Sequence, residues 1–146
     1  MLGRTYDSQN CSIARALEVV GERWSLLILR DAIFRGTTRF SDFQRVLGLA
    51  PNILTNRLDT FVTAGLMRVG NREYFLTAKG LDLGPTLIAL TEWGDRWAAP
   101  NGPPIIYRHG GCGGEVRLDV RCARCGTAPA TADVLAEPGP GIGNAG

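Results

Sequence analysis

Arg39-Phe-Ser-Asp-Phe-Gln-Arg-Val-Leu-Gly-Leu-Ala-Pro-Asn-Ile-Leu-Thr-Asn-Arg-Leu-Asp-Thr-Phe-Val-Thr-Ala-Gly-Leu66 reads as two short helices joined by a tight turn. In the first helix Ser41 is placed to cap the N-terminus with its hydroxyl. Phe43, Val46 and Leu47 give it one apolar stripe, and Gly48 supplies the left-handed residue that ends it. Leu49 plugs the turn into the core. Pro51 takes the favoured first position of the second helix, Leu54, Leu58, Phe61 and Val62 form its inner face, and Gly65 stops it. Asn52, Thr55, Asn56 and Arg57 are left on the outer face. That is the layout of a helix-turn-helix, whose second helix enters the major groove of duplex DNA.

The flanking sequence completes a winged helix-turn-helix of mainly α (α+β) class. Residues 1–10 read as a polar, loosely ordered arm. Ser12 caps a first helix with apolar spacing Ile13, Ala16, Leu17, Val20, ended by Gly21. Trp24 to Phe34 is apolar on most faces and reads as the central buried helix, stopped by Gly36. Leu66–Val69 and Tyr74–Leu76 are two short strands around Gly70-Asn-Arg-Glu73, the wing. Thr77 caps a last helix that breaks or bends near Gly84-Pro85 and runs to about Ala99. This helix carries Leu87, Ile88, Leu90, Trp93 and Trp97 on more than one face. Those residues either pack on the first two helices or pair with the first helix of a second copy across a two-fold axis, making a homodimer.

At 146 residues, with 45% apolar and 21% charged residues, the chain has the composition of a soluble globular protein rather than a long disordered one. No run of about 18 or more apolar residues is present to span a membrane, and no signal segment is legible, so the expectation is a cytoplasmic protein with no membrane partner. The net charge of +2 is modest. Its distribution is not even: residues 35–80 hold six Arg and one Lys against three acids, whereas residues 100–146 hold four Arg against four acids. No nucleophile elbow, phosphate loop or paired carboxylates on one face is legible, so no enzyme is expected.

Residues 100–126 form a different constellation. His109-Gly-Gly-Cys112-Gly and Cys122-Ala-Arg-Cys125-Gly are two like-built knuckles, with Glu115–Val120 alternating as a strand would between them. His109, Cys112, Cys122 and Cys125 make a four-ligand set suited to structural zinc in a small zinc-ribbon-like hairpin. Free thiols, a Cys122–Cys125 redox pair, or a ribbon held by packing alone are the other readings. Residues 127–146 are rich in Ala, Pro and Gly and read as a flexible tail. Cys11 stands alone at the mouth of the first helix, where the helix dipole and Arg15 favour a thiolate open to oxidation or alkylation; an inert small residue is the plainer reading.

Cys11–Trp24, Leu26–Asp31, Arg39–Phe43, Leu49–Gly65, Leu76–Gly80 and Trp93–Asp95 fall in an order that resembles the HxlR-type transcriptional regulators, relatives of the MarR regulators. The resemblance covers about residues 11–99. It implies a homodimeric winged helix that binds double-stranded operator DNA, and in some members a response to aldehydes, quinones or oxidants through a Cys near the first helix.

Residue by residue, Asn52, Thr55 and Asn56 share one helical face and have the groups for base readout, Asn toward adenine and Thr toward a thymine methyl. Arg57 reaches a phosphate or guanine edge, or is held by Asp59. Pro51 presses on sugar or a thymine methyl. Ser41 and the amides beside it suit a phosphate, with Arg39 and Arg45 supplying charge, and Arg72 at the wing tip probes the minor groove. The expected function is a sequence-specific dimeric regulator, a repressor, modulated by a small molecule or by thiol oxidation. The rival is a redox- or metal-responsive protein-interaction module without specific DNA binding.

Overall fold

The computed structural model describes residues 5–142. The element order is α1 (Ser12–Val20), α2 (Ser25–Arg35), α3 (Phe40–Leu47), α4 (Pro51–Thr63), β1 (Met67–Gly70), β2 (Glu73–Leu76), α5 (Ala78–Leu81) and α6 (Gly84–Trp97), followed by an irregular segment with single 3-10 turns at Thr131–Asp133 and Pro140–Ile142. Helices around a two-stranded antiparallel sheet, with Met67 opposite Leu76 and Gly70 opposite Glu73, make the expected winged helix-turn-helix.

The core forms where the apolar stripes of α2, α3 and α4 meet. Ile28, Leu29, Phe43, Leu54, Leu58 and Phe61 have no solvent exposure, and Leu49 in the turn, Leu66, Met67 and Leu87 close around them. Each such side chain contributes roughly 1.5–3 kcal/mol through removal from water. Gly36 (φ +67°) and Gly48 (φ +65°) end α2 and α3 in the left-handed conformation that a side chain disfavours, as the sequence suggested. Asp31 is buried on α2, its Oδ1 accepting from Arg30 Nε at 2.9 Å.

Several local expectations are corrected. Ser12 and Ser41 do not cap their helices: Cys11 and Arg39 hold the N-cap positions without side-chain caps, and both serines lie inside the first turn. Val46 is exposed, so the α3 stripe narrows to Phe43 and Leu47. The break falls at Asp82-Leu83, just before Gly84-Pro85 opens α6, and separates two helices, with Thr77 Oγ1 accepting from Gly80 N at 3.2 Å at the start of α5. Leu87 packs inward from α6, but Leu90, Trp93 and Trp97 are exposed, the two tryptophans by 63% and 70%.

Beyond α6, residues 115–120 form no regular strand. One bridge, Arg108 with Glu115, replaces the expected ribbon-like hairpin, because the connector is drawn to α6, where Glu92 Oε1 accepts from Leu118 N at 2.9 Å. Where the sequence reads as a loose arm and tail, residues 5–10 and 127–142 make defined contacts. Tyr6 N donates to Glu18, Arg15 donates to the Tyr6 carbonyl, and Asn10 Nδ2 donates to the carbonyls of Gly141 and Ile142. Residues 1–4 and 143–146 lie outside the described residues.

Candidate nucleic-acid interface

Ala50, the N-cap of α4, has no side chain to bond the first amides, and Pro51 at the start has no N–H to lose. Leu54, Leu58 and Phe61 fix the inner face of this helix, so Asn52, Ile53, Thr55, Asn56 and Asp59 are turned to solvent. Asn52, Thr55 and Asn56 therefore stand on one free face. Ile53 was missed in the sequence reading. It lies one position off the buried stripe, and that offset is the signal that could have found it: an exposed apolar residue beside two Asn is suited to a thymine methyl.

Arg57 stands apart from this group. Its side chain is only 17% exposed, with Nε 3.8 Å from Glu22 Oε2 in the corner between α1 and α2. The same carboxylate accepts from Trp24 N at 2.9 Å, just ahead of α2. Arg57 thus anchors α4 to the α1–α2 corner instead of presenting a free guanidinium, and the expected partner Asp59 is replaced by Glu22.

A second group gathers where α3 meets the wing. Arg39, Ser41 and Arg72 line one open cleft of about 470 Å³. Glu73 Oε1 ties the two sides, accepting from Thr38 Oγ1 at 2.8 Å and Arg39 Nε at 3.2 Å, while Tyr74 N donates to the Thr38 carbonyl. The N-terminus of α3 has no side-chain cap, and the amides of Asp42 and Phe43 both donate to the Arg39 carbonyl at 3.1 Å. Arg45 is exposed but bonded to Asp42 at 3.0 Å. At the wing tip Asn71 (φ +49°) and Arg72 (φ +63°) are both left-handed, the two-residue turn whose twist matches a hairpin. Arg in that conformation costs roughly 1–2 kcal/mol, a strain more often found at functional positions than elsewhere.

The cysteines divide. Cys11 is exposed at the head of α1. Arg15, expected to support its thiolate, is engaged instead by Glu18 at 2.9 Å and by the Tyr6 carbonyl at 2.6 Å.

The two knuckles are true repeats in backbone geometry. Gly113 N donates to the His109 carbonyl (2.7 Å) and His109 N to that of Gly114 (2.8 Å). Likewise Gly126 N donates to the Cys122 carbonyl (2.9 Å) and Cys122 N to that of Thr127 (2.8 Å). Arg108 and Arg121 each bond the carbonyl of the glycine five residues on, and both glycines have φ +75°. His109 Nδ1 lies 3.4 Å from Cys112 Sγ. The Cys125 thiol is lowered from its ordinary 9.0 to about 7 by the Thr127 hydroxyl, with the Thr127 backbone and the Cys122 thiol adding to it. The four donors stand as two pairs: among the described residues no group of three or more His, Cys, Asp or Glu side chains lies close enough together to hold a metal.

Comparison with known proteins places this geometry. Residues 19–102 match the HxlR-like helix-turn-helix family. An HTH-type transcriptional regulator of Mycobacterium tuberculosis is 44% identical over 139 residues, covering 90% of this chain and 87% of the relative. The crystal structure of PA1607, a candidate transcription factor, superposes with a TM-score of 0.79 at 40% identity, covering 90% of this chain and 96% of that one. Such coverage extends past residue 102, so the C-terminal segment is part of the likeness. The redox regulator HypR in its reduced form gives a TM-score of 0.50 at 25% identity, over 59% of this chain and 92% of that one. With a family match over more than half its length and a relative this similar along nearly all of it, the chain belongs to the HxlR-like helix-turn-helix family of transcriptional regulators.

Proposed function

We propose that this regulator binds a specific duplex operator as a homodimer in the cytoplasm and catalyses no reaction. The observation that carries this is the uncovered face of α4, with Asn52, Ile53, Thr55 and Asn56 exposed beside the cleft of Arg39, Ser41 and Arg72. Base edges are read by the first group. Phosphates and the minor groove are engaged by the second, which fixes register without reading sequence.

Dimerisation is supported by exposed apolar side chains at both ends of the domain. Leu90, Trp93 and Trp97 lie on one side of α6, and Ile13 and Leu17 are exposed on α1. A patch of this kind is costly to leave in water and suits an isologous contact with a second copy. Two-fold pairing would set two α4 helices on successive major-groove faces of a pseudo-palindromic site.

Control by thiol oxidation is supported by the exposure of Cys11 and by the likeness to HypR. Structural zinc at His109, Cys112, Cys122 and Cys125 is part of the same proposal and requires the two knuckles to close on each other. Metal analysis of the purified chain, with and without Cys122→Ser, decides it: about one equivalent of zinc, lost in the variant, is expected.

The operator assignment is tested by selecting binding sites from random duplexes. Asn52→Ala should relax preference at one base position by about 1–3 kcal/mol. Retention of the full wild-type preference by Asn52→Ala and Asn56→Ala would remove α4 from the contact surface. Equal operator affinity before and after peroxide, in wild type and Cys11→Ser, would dismiss the thiol switch.

A further inference from the structure

Tyr107 fastens the C-terminal segment to the helical domain. Its ring centroid lies 4.4 Å from that of Phe34 on α2, and its hydroxyl is 3.4 Å from Thr91 Oγ1 on α6. Beside it opens a cleft of about 450 Å³ between α2, α6 and the segment. Ile88, Ile105 and Phe34 give it apolar walls, while its charged lining consists of Arg30, Arg35 and Arg108, with no carboxylate among the lining residues.

The charges do not cancel. Arg30 Nε and Arg35 Nη1 face the same Asp31 Oδ1, at 2.9 and 3.8 Å, so one buried carboxylate answers two guanidiniums. Arg108 has no carboxylate partner among the described residues; its Nη1 donates to the Gly113 carbonyl at 3.1 Å. Guanidiniums remain protonated at any working pH and bind carboxylates through two parallel hydrogen bonds. Surplus positive charge above an apolar wall, in a volume ordinary for small-molecule sites, defines the complement: an apolar body that carries one acid group.

We propose that this cleft is a binding site for an organic acid with an aromatic or branched apolar body. The acid group meets Arg35 and Arg108, and the body lies against Ile88 and Phe34. None of the residues assigned to DNA contact lines the cleft. A ligand there bridges the C-terminal segment to α2, and α2 packs directly on α3 of the helix-turn-helix. Occupancy therefore biases the position of the reading head, a consequence that rests on the operator-binding reading above.

The test is calorimetric titration of the full chain with 2-naphthoate and with its neutral isostere 2-naphthamide. Naphthoate is expected to bind at least about tenfold more tightly than the amide, since a charge-assisted bidentate contact separates them. Arg108→Gln should cost about tenfold for naphthoate and little for the amide. Ile106→Glu, which puts a negative charge on the exposed rim, should abolish naphthoate binding. Arg23→Gln, which removes an exposed charge stacked on Trp24 and outside the cleft, should change nothing. Equal affinity for acid and amide overturns the assignment, as does naphthoate binding unaffected by Arg108→Gln and Ile106→Glu, or no binding of either probe at millimolar concentration. Operator affinity of the ligand-free chain is measured alongside. Retained DNA binding without naphthoate binding sinks this inference alone, and lost DNA binding sinks the operator reading while the titration stands by itself.

Discussion

Arg72→Gly should make the protein more stable and a poorer DNA binder at once. Arg72 sits at φ +63° in the two-residue wing turn, where a side chain costs roughly 1–2 kcal/mol that glycine avoids. Glycine returns about 0.5–1 kcal/mol of this through its greater freedom in the unfolded chain. The net gain is about 0.5–1 kcal/mol, a rise of a few degrees in melting temperature. The same change removes the wing-tip guanidinium. One lost phosphate contact lowers the slope of log affinity against log salt by about 0.9, so the gap between variant and wild type narrows as salt is raised. Arg72→Ala separates the two effects: it loses the charge but keeps a Cβ in the left-handed turn, so its slope should fall without any gain in stability. Thermal melts and titrations of an operator duplex across KCl concentrations read both quantities. An unchanged salt slope in both variants refutes the wing contact, and a glycine variant no more stable than the alanine one refutes the strain.

Arg57→Gln should lower stability by up to about 1 kcal/mol, because the pair with Glu22 is part-exposed, and leave the salt slope unchanged; a slope reduced by about 0.9 would put Arg57 on a phosphate instead. Gly80→Ala drives a Cβ into the Leu66 carbonyl and to 3.0 Å from Leu76 Cδ2, so a loss of about 1–3 kcal/mol is expected in urea unfolding, and a wild-type midpoint would mean that α5 shifts freely against β1. Alkylation of Cys125 in the metal-free chain should rise with pH around a midpoint near 7, since thiolate is the reactive form and its formation is favoured by Thr127. Thr127→Val should move that midpoint upward, and an identical profile would show that the hydroxyl is not the cause.

How far the fold is legible in the sequence follows from which interactions are local. Gly36, Gly48, Pro51 and Gly65 act through their own backbone preferences, and each ends or begins a helix where the sequence puts it. Leu54, Leu58 and Phe61 obey helical spacing, Leu49 plugs the turn before them, and all four are buried. The misreadings are tertiary. Ser41 has the right chemistry for a cap, but α3 starts two residues earlier, with Arg39 as N-cap, and Phe40 packs against the core. Arg57 reads as a DNA contact or as held by Asp59 because its partner Glu22 lies in a distant corner that no spacing rule connects to it. The same holds for the segment after α6, where alternation in Glu115–Val120 suggested a strand but the carboxylate of Glu92 takes the Leu118 amide.

The two sides of α6 bear on whether the proposed dimer and the proposed cleft are compatible. Successive helix residues turn by about 100°. Leu90, Trp93 and Trp97 therefore centre on a direction about half a turn from that of Ile88, Thr91 and Glu92, which meet Tyr107, Leu118 and the cleft. A second copy covering the tryptophans leaves the C-terminal segment in place on the opposite side. In the proposed dimer the segment and the twin chain would take opposite sides of the helix, so an acid bound beside Tyr107 would act on the assembled pair. Its leverage on DNA affinity would then pass through α2 to α3 within one chain, and not through dissociation of the pair.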